Sequence, residues 1–248
     1  MNELPGREHW LTPVWQPHPR VCALVTTRHG HYSPPPWQGF NLGTNCGDDP
    51  QRVTTARAHV QQQIASPQPP YWLNQVHGTR SVVYGDADRC ADGVWTDQAE
   101  QPCVVLTADC LPVLLARTDG TAVGAFHAGW RGLLTGMLEV GIRQLAGNGE
   151  PLSAWLGPAI CQHCYQVGDE VRTAFVRHDE AAAAGFSEDS VGHWRMDLFA
   201  LARQRLQAAG VADINTDGLC TSCQLEHFYS YRREGQTGRF ATMIWLKD

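Results

Sequence analysis

Apolar residues run through this chain in short bursts, each closed by glycine, proline or a small polar residue. Bursts of that length, rich in Val, Leu and Ala, predict strands. They cover Val21 to Arg28, Arg80 to Gly85, Pro102 to Asp109, Pro112 to Ala116, Gly120 to Gly129, Ser153 to Ile160 and Phe240 to Leu246. Between them a helical period predicts helices over Pro50 to Ala65, Leu133 to Ala146, Asp169 to His178 and Asp197 to Ala209. The last carries Leu198, Leu201, Ala202, Arg205 and Leu206 at helical spacing, with Gly210 placed to end it. Helices and strands alternate irregularly, which predicts a mixed α/β (α+β) fold rather than a regular parallel winding.

Two segments break the pattern. RHGHYSPPPWQGFNLGTNCGDDP, residues 28–50, is too long and too rich in Pro and Gly for a simple connection, and long ordered loops tend to carry function. EAAAAGFSEDSVGHW, residues 180–194, separates the last two helices and reads as a tolerated surface insertion. No repeat, low-complexity tract or convincing linker divides the chain, so one domain over residues 1–248 is expected.

Composition narrows the partners. With 43% hydrophobic residues in 248, the chain has ample material for a core. A net charge of −6 offers no basic excess to neutralise a polyphosphate backbone, which argues against nucleic acid as a partner. Local arginines can still hold a small anion. The first twenty residues carry charges and prolines throughout, unlike a signal peptide, and no apolar stretch approaches membrane-spanning length, so no membrane partner is expected. Nine cysteines, an odd number in a chain too long to need disulfide staples, are then expected to be reduced thiols in the cytoplasm. Monomer and small homo-oligomer both stay open.

The candidate chemistry sits where strands end. His77 in NQVHGT, Cys110 in TADCLPV and His127 in FHAGWRG each follow an apolar run in small-residue surroundings. Two imidazoles and a thiolate with a free fourth position make a catalytic zinc site of known type. Singly, each has a plainer reading: a small buried thiol, a turn histidine. Their spacing matches no short zinc signature. Cys161/Cys164 and Cys220/Cys223 form two CxxC pairs, suited to a four-thiolate zinc site if they meet in space, and otherwise core and loop thiols.

NQVHGT, TADCLPVLL, FHAGWRGLL, WLGPAI, YQVGDEV, MDLFALARQRLQAAGV and YSYRREGQTGRFATMIWL, in that order, resemble the bacterial YfiH-type family from about Val21 to Leu246. Its members have been labelled laccase-domain or polyphenol oxidase proteins and, later, purine nucleoside phosphorylases. The resemblance implies one layered α/β/β/α domain and a metal site, usually zinc with copper as an alternative, formed by the positions of His77, Cys110 and His127. It does not cover all four CxxC thiols. Gly129 and Gly132 would let the backbone pass close to metal or substrate, and Trp130 is read as core before stacking surface.

The activity so implied is phosphorolysis of adenosine, inosine, guanosine and S-methyl-5'-thioadenosine, with adenosine deamination as a second reaction. Purine nucleosides and phosphate would be the partners. Arg28, Arg131, Arg232 and Arg233 are the candidates for phosphate, because guanidinium forks match its oxygens; surface ion pairing is the competing role. The zinc-deaminase signature is absent: Gly78 and Thr79 follow His77, and VVL follows Pro102–Cys103. Asp109, beside Cys110, is the nearest acid for a proton shuttle, or else a turn or helix cap. Two other classes stay open. One is a copper-dependent polyphenol oxidase, which needs many more paired histidines than these motifs offer. The other is a metal-free hydrolase of misbuilt peptidoglycan precursors, with Cys110 as nucleophile and His127 as base.

Overall fold

A computed structural model of the protein describes residues 4–64, 66–147 and 149–248. In chain order it contains β1 (Val21–Val25), α1 (Pro50–Ile64), β2 (Ser81–Val83), β3 (Gly93–Thr96), β4 (Cys103–Thr107), β5 (Leu111–Arg117) and β6 (Val123–Ala128). There follow α2 (Trp130–Thr135), α3 (Met137–Ala146), β7 (Leu152–Leu156), β8 (Gln166–Gly168), α4 (Asp169–His178), β9 (Phe186–Ser190) and β10 (His193–Met196). The chain continues with α5 (Leu198–Ala208), β11 (Asp213–Thr216), α6 (Tyr231–Glu234) and β12 (Phe240–Leu246).

The strands form a three-stranded sheet in the order β1-β12-β4, a six-stranded mixed sheet in the order β11-β7-β5-β6-β3-β2, and a small sheet β8-β10-β9. Because side chains alternate along a strand, each strand of the two larger sheets feeds two layers. In β12, Ala241, Met243 and Trp245 meet Ala56 and Val60 on α1, while Phe240, Ile244 and Leu246 point the other way. There they join Leu114 and Ala116 of β5 and Val123 and Ala125 of β6. The opposite faces of β5 and β6, with Leu111, Val113, Leu115 and Phe126, pack on Leu138, Ile142, Leu201 and Leu206 of α3 and α5. The result is a layered α/β/β/α arrangement, with the expected mixed fold class.

The predicted strands and helices are present, most with shifted or trimmed ends, while β5 is longer than predicted. Ala65, at the end of the first predicted helix, lies outside the described residues. The helix read from Leu133 to Ala146 is two, because Gly136 takes φ 103 and ends α2 before α3 begins. The segment read as a surface insertion is mostly exposed but carries regular structure. Residues 180–185 form a 3-10 helix with Ala182 buried, and β9 and β10 pair as a hairpin that also joins β8.

Register brings the chemistry to one end of the six-stranded sheet. Leu111 pairs with Ala128 across the β5–β6 hairpin, so Cys110, one residue earlier, arrives beside the end of β6 that carries His127. Gly93 pairs with Phe126, which sets Asp92 next to His127. β2 runs parallel to β3, so the loop entering β2, which holds His77, reaches the same end. The fully buried Phe126 ring fills the space that side chains at Gly93, Gly124 and Gly141 would occupy, which fixes β6 one residue before His127.

Candidate metal and anion site

Asp92 organises the centre. It is fully buried, accepts the backbone N–H groups of Val76, His77 and Gly78 at 3.2, 2.9 and 2.7 Å, and lies 2.8 Å from His127 Nδ1. Burial opposes its ionisation, but His127 and these amides outweigh that and hold the carboxyl below the usual carboxylate range. The contact also decides the imidazole's chemistry. With Nδ1–H donating to Asp92, Nε2 is left as the ligand atom, the arrangement that orients metal-binding histidines.

The same three amides hold the loop that presents His77, whose φ of 61 is rare for a side-chain-bearing residue. Such backbone costs about 1–3 kcal/mol and persists only where its surroundings enforce it; here Asp92 does so. The ligand atoms of His77, Cys110 and His127 all lie within 4.8 Å of one another. Gly129 makes this closeness possible, since a Cβ there would fall 2.9 Å from Cys110 Sγ. Burial works against a Cys110 thiolate, yet His127 and His77 pull the thiol down to about 6. His127 responds reciprocally: burial lowers it, but Cys110 and Asp92 raise it to about 9. Two imidazoles, a ready thiolate and a buried carboxylate behind one imidazole fit a zinc or copper ion.

These residues lie in a cavity of about 590 Å³, within the range of small-molecule sites. Arg131, Arg232 and Arg239 line it too. None of the three pairs with a carboxylate side chain among the described residues. Arg131 stacks on Trp130 at 4.4 Å, Arg232 covers Tyr165 at 5.0 Å and donates to the Gln166 carbonyl, and Arg239 donates to the carbonyls of Thr237 and Gly238. Their charge is therefore free to meet an anion. Trp130 packs on the helix-side core and also lines the cavity.

Arg28 and Arg233 are not brought there. Arg28 forms an ion pair with Glu234, donates to the carbonyls of Leu225 and Gln38, and covers the Tyr229 ring. Arg233 donates to the carbonyls of Thr221, Ser222 and Phe228 and to Glu234. Both guanidinium groups are spent on holding the C-terminal loops, which is the ion-pairing role weighed against phosphate binding. Asp109 does line the cavity, at φ 93, but its two oxygens accept from Thr221 Oγ1 and from the Arg232 backbone N–H, both at 2.6 Å. That is a capping geometry at the start of α6.

Three residues of the site were not singled out from the sequence: Asp92, and Tyr165 and Arg239, which lie within quoted motifs. Asp92 stands in ADGVW, where an acid before glycine looks like a turn; its signal is the start of a strand paired with the one bearing His127. Asp92→Asn is expected to weaken metal binding about 10–100-fold while leaving the fold intact, because the amide accepts less strongly from both His127 and the His77 loop. Competition against a chelator measures this; wild-type affinity would contradict it.

Comparison with known proteins bears on what this centre serves. Residues 22–247 match the family model described as multi-copper polyphenol oxidoreductase laccase. The chain belongs to this family. Laccase-family relatives include a Pseudomonas aeruginosa protein named purine nucleoside phosphorylase, 44% identical over 96% of this chain and 99% of its own length. Another is the Escherichia coli K12 protein named purine nucleoside phosphorylase YfiH, 42% identical over 95% of this chain and 98% of its own. Among solved structures, Neisseria meningitidis protein NMB0706 superposes with a TM-score of 0.91 at 41% identity, covering 97% of this chain and 100% of that one. YlmD from Geobacillus stearothermophilus gives 0.86 at 30% identity, covering 100% and 98%. The YfiH-type resemblance and the mixed α/β fold are thereby established.

Despite the laccase-family description, only two groups of three or more His, Cys, Asp or Glu side chains converge closely enough to hold a metal among the described residues. One is His77/Cys110/His127 and the other is the four CxxC cysteines. Neither is a cluster of histidines alone. No helix among the described residues is long and apolar enough to cross a membrane.

Proposed function

We propose that this chain is a zinc-dependent purine nucleoside phosphorylase, converting adenosine, inosine, guanosine or S-methyl-5'-thioadenosine and phosphate to the base and the ribose 1-phosphate product. The observation that carries the reading is the union, in one cavity, of the His77/Cys110/His127 group with three arginines that have no carboxylate partner. An isolated metal-binding group would not need that much cationic charge; a dianionic phosphate does.

Zinc held by His77, Cys110 and His127, with copper as an alternative occupant, would supply Lewis-acid charge beside the reacting groups. The chain's own residues do the rest. Arg131, Arg232 and Arg239 bind and orient phosphate, and in doing so raise its effective concentration at the sugar. Trp130 and Tyr165 offer flat faces to the purine. Burial pushes the Tyr165 hydroxyl up, so it stays protonated and would be a donor toward a bound substrate. Asp109 holds the Arg232 backbone, and hence the anion site, in place. Deamination of adenosine is the proposed second reaction, with Asp109 as its proton shuttle while it also accepts from Thr221 and the Arg232 amide.

A second reading has its own support, because Asp92, His127 and Cys110 form a chain like that of a thiol hydrolase. Two measurements decide. Adenosine with phosphate is expected to give adenine and ribose 1-phosphate, and without phosphate only inosine; hydrolysis to adenine independent of phosphate would reject phosphorolysis. Alkylation of Cys110 is expected to be slow until a chelator removes the metal, since a coordinated thiolate is shielded by its cation. Cys110 alkylating first of the nine thiols in active, metal-loaded protein would favour the hydrolase.

A further inference from the structure

The two CxxC pairs, far apart in the chain, meet. The Sγ atoms of Cys161, Cys164, Cys220 and Cys223 all lie within 4.8 Å of one another, with Cys223 3.4 Å from Cys164 and 3.9 Å from Cys161. A tetrahedral ion with metal–sulfur bonds of about 2.3 Å needs sulfurs roughly 3.8 Å apart. No pair is bonded as a disulfide; all four are free thiols. Core packing does not account for the group either, because Cys223 is exposed and Cys161 and Cys164 are half-buried.

The backbone around the sulfurs is arranged for charge. Cys220 Sγ accepts the backbone N–H groups of Cys161 at 3.3 Å and Cys223 at 3.4 Å, so donors from both CxxC segments point at one sulfur. Such bonds stabilise a thiolate ligand. The segments are joined just before the thiols by a parallel bridge between Ala159 and Cys220, closed by Ala159 N–H to the Leu219 carbonyl and Thr221 N–H to the Ala159 carbonyl.

We propose that these four cysteines form a second, structural metal site of the tetrathiolate zinc type, distinct from the His77/Cys110/His127 group. Its position gives it a task. Ile160 and Tyr165, on either side of the first pair, line the cavity, and Thr221, inside the second pair, donates to Asp109, which in turn holds the Arg232 amide. Metal at this site ties the wall carrying Tyr165 to the loop that positions Arg232. It needs no substrate, and it stands whether or not the cavity performs phosphorolysis.

The test is zinc content, measured by elemental analysis and by release to a colorimetric chelator, on the full chain purified with zinc present. Wild type is expected to hold two zinc ions per chain, Cys161→Ser/Cys223→Ser one, and Cys110→Ala one, so that the sites fail separately. The double variant is also expected to melt at lower temperature. Cobalt substitution guards against a variant that does not fold: Cys110→Ala protein loaded with cobalt is expected to show the intense thiolate-to-metal absorption of a tetrathiolate site. Zinc content unchanged by Cys161→Ser/Cys223→Ser would overturn the proposal. So would mass spectrometry that finds a Cys164–Cys223 or Cys161–Cys223 disulfide in native wild-type protein, or a cobalt form of Cys110→Ala without that absorption.

Discussion

Cys110→Ala is expected to lose the metal of the cavity and at least about a hundredfold of the phosphorolysis rate. The outer partners of a metal site typically cost 10–100-fold when replaced, and Cys110 is a ligand candidate with only two companions. Its sulfur also offers negative charge to His127, which Cys110 raises together with Asp92. Removing it leaves two imidazoles and no anionic donor. Metal content and kcat/KM for adenosine with saturating phosphate check this together. A variant that keeps both would remove Cys110 from the site; one that keeps the metal and loses activity would point to Cys110 as nucleophile.

The arginines provide the second large effect, and its contrast is the informative part. Arg239→Ala is expected to lower kcat/KM at limiting phosphate by roughly ten to a hundred and fifty times, the equivalent of a charge-assisted contact of about 1.5–3 kcal/mol. KM for phosphate should rise more than KM for the nucleoside. Arg28→Ala is expected to keep kcat/KM within about twofold, since uniform losses of folding stability do not alter transition-state binding. It should instead lower the melting temperature, because Glu234 loses one of its two ion pairs and the C-terminal loop a brace. Steady-state kinetics at varied phosphate and a thermal melt separate the two. Equal kinetic losses in both variants would show that the anion site is not built on the cavity arginines.

The difference between Arg28 and Arg239 also shows where sequence reasoning stops. Arg28 stands at a strand end before a long Gly/Pro loop, a promising place for an anion, but its partner Glu234 is 206 residues away. Arg239 stands just before the last strand, and nothing beside it in the sequence marks a function of its own. Residues whose environment comes from their own neighbourhood fared better. Cys110 and His127 meet at the open end of one hairpin, and the family resemblance of their motifs already implied one site. The apolar runs of β4, β5, β6 and β12 are buried strands, so hydrophobicity alone finds them. β11 reads DINT and lies at the sheet's edge with no buried residue, so no apolar pattern marks it. β9, with exposed residues after Phe186, hid behind the alanine run for the same reason.

The placement of β12 bears on how the molecule comes into being. This strand, almost the last stretch of the described fold to leave a ribosome, lies between β1, among the first, and β4. Until residues 240–246 emerge, β1 and β4 have no partner in their sheet and each presents a bare edge. Contacts between such distant parts of a sequence form slowly. A chain stalled or clipped before Phe240 therefore has every residue named for metal binding, yet lacks the strand that closes the sheet beneath them, and is destined for proteolysis or aggregation rather than partial activity.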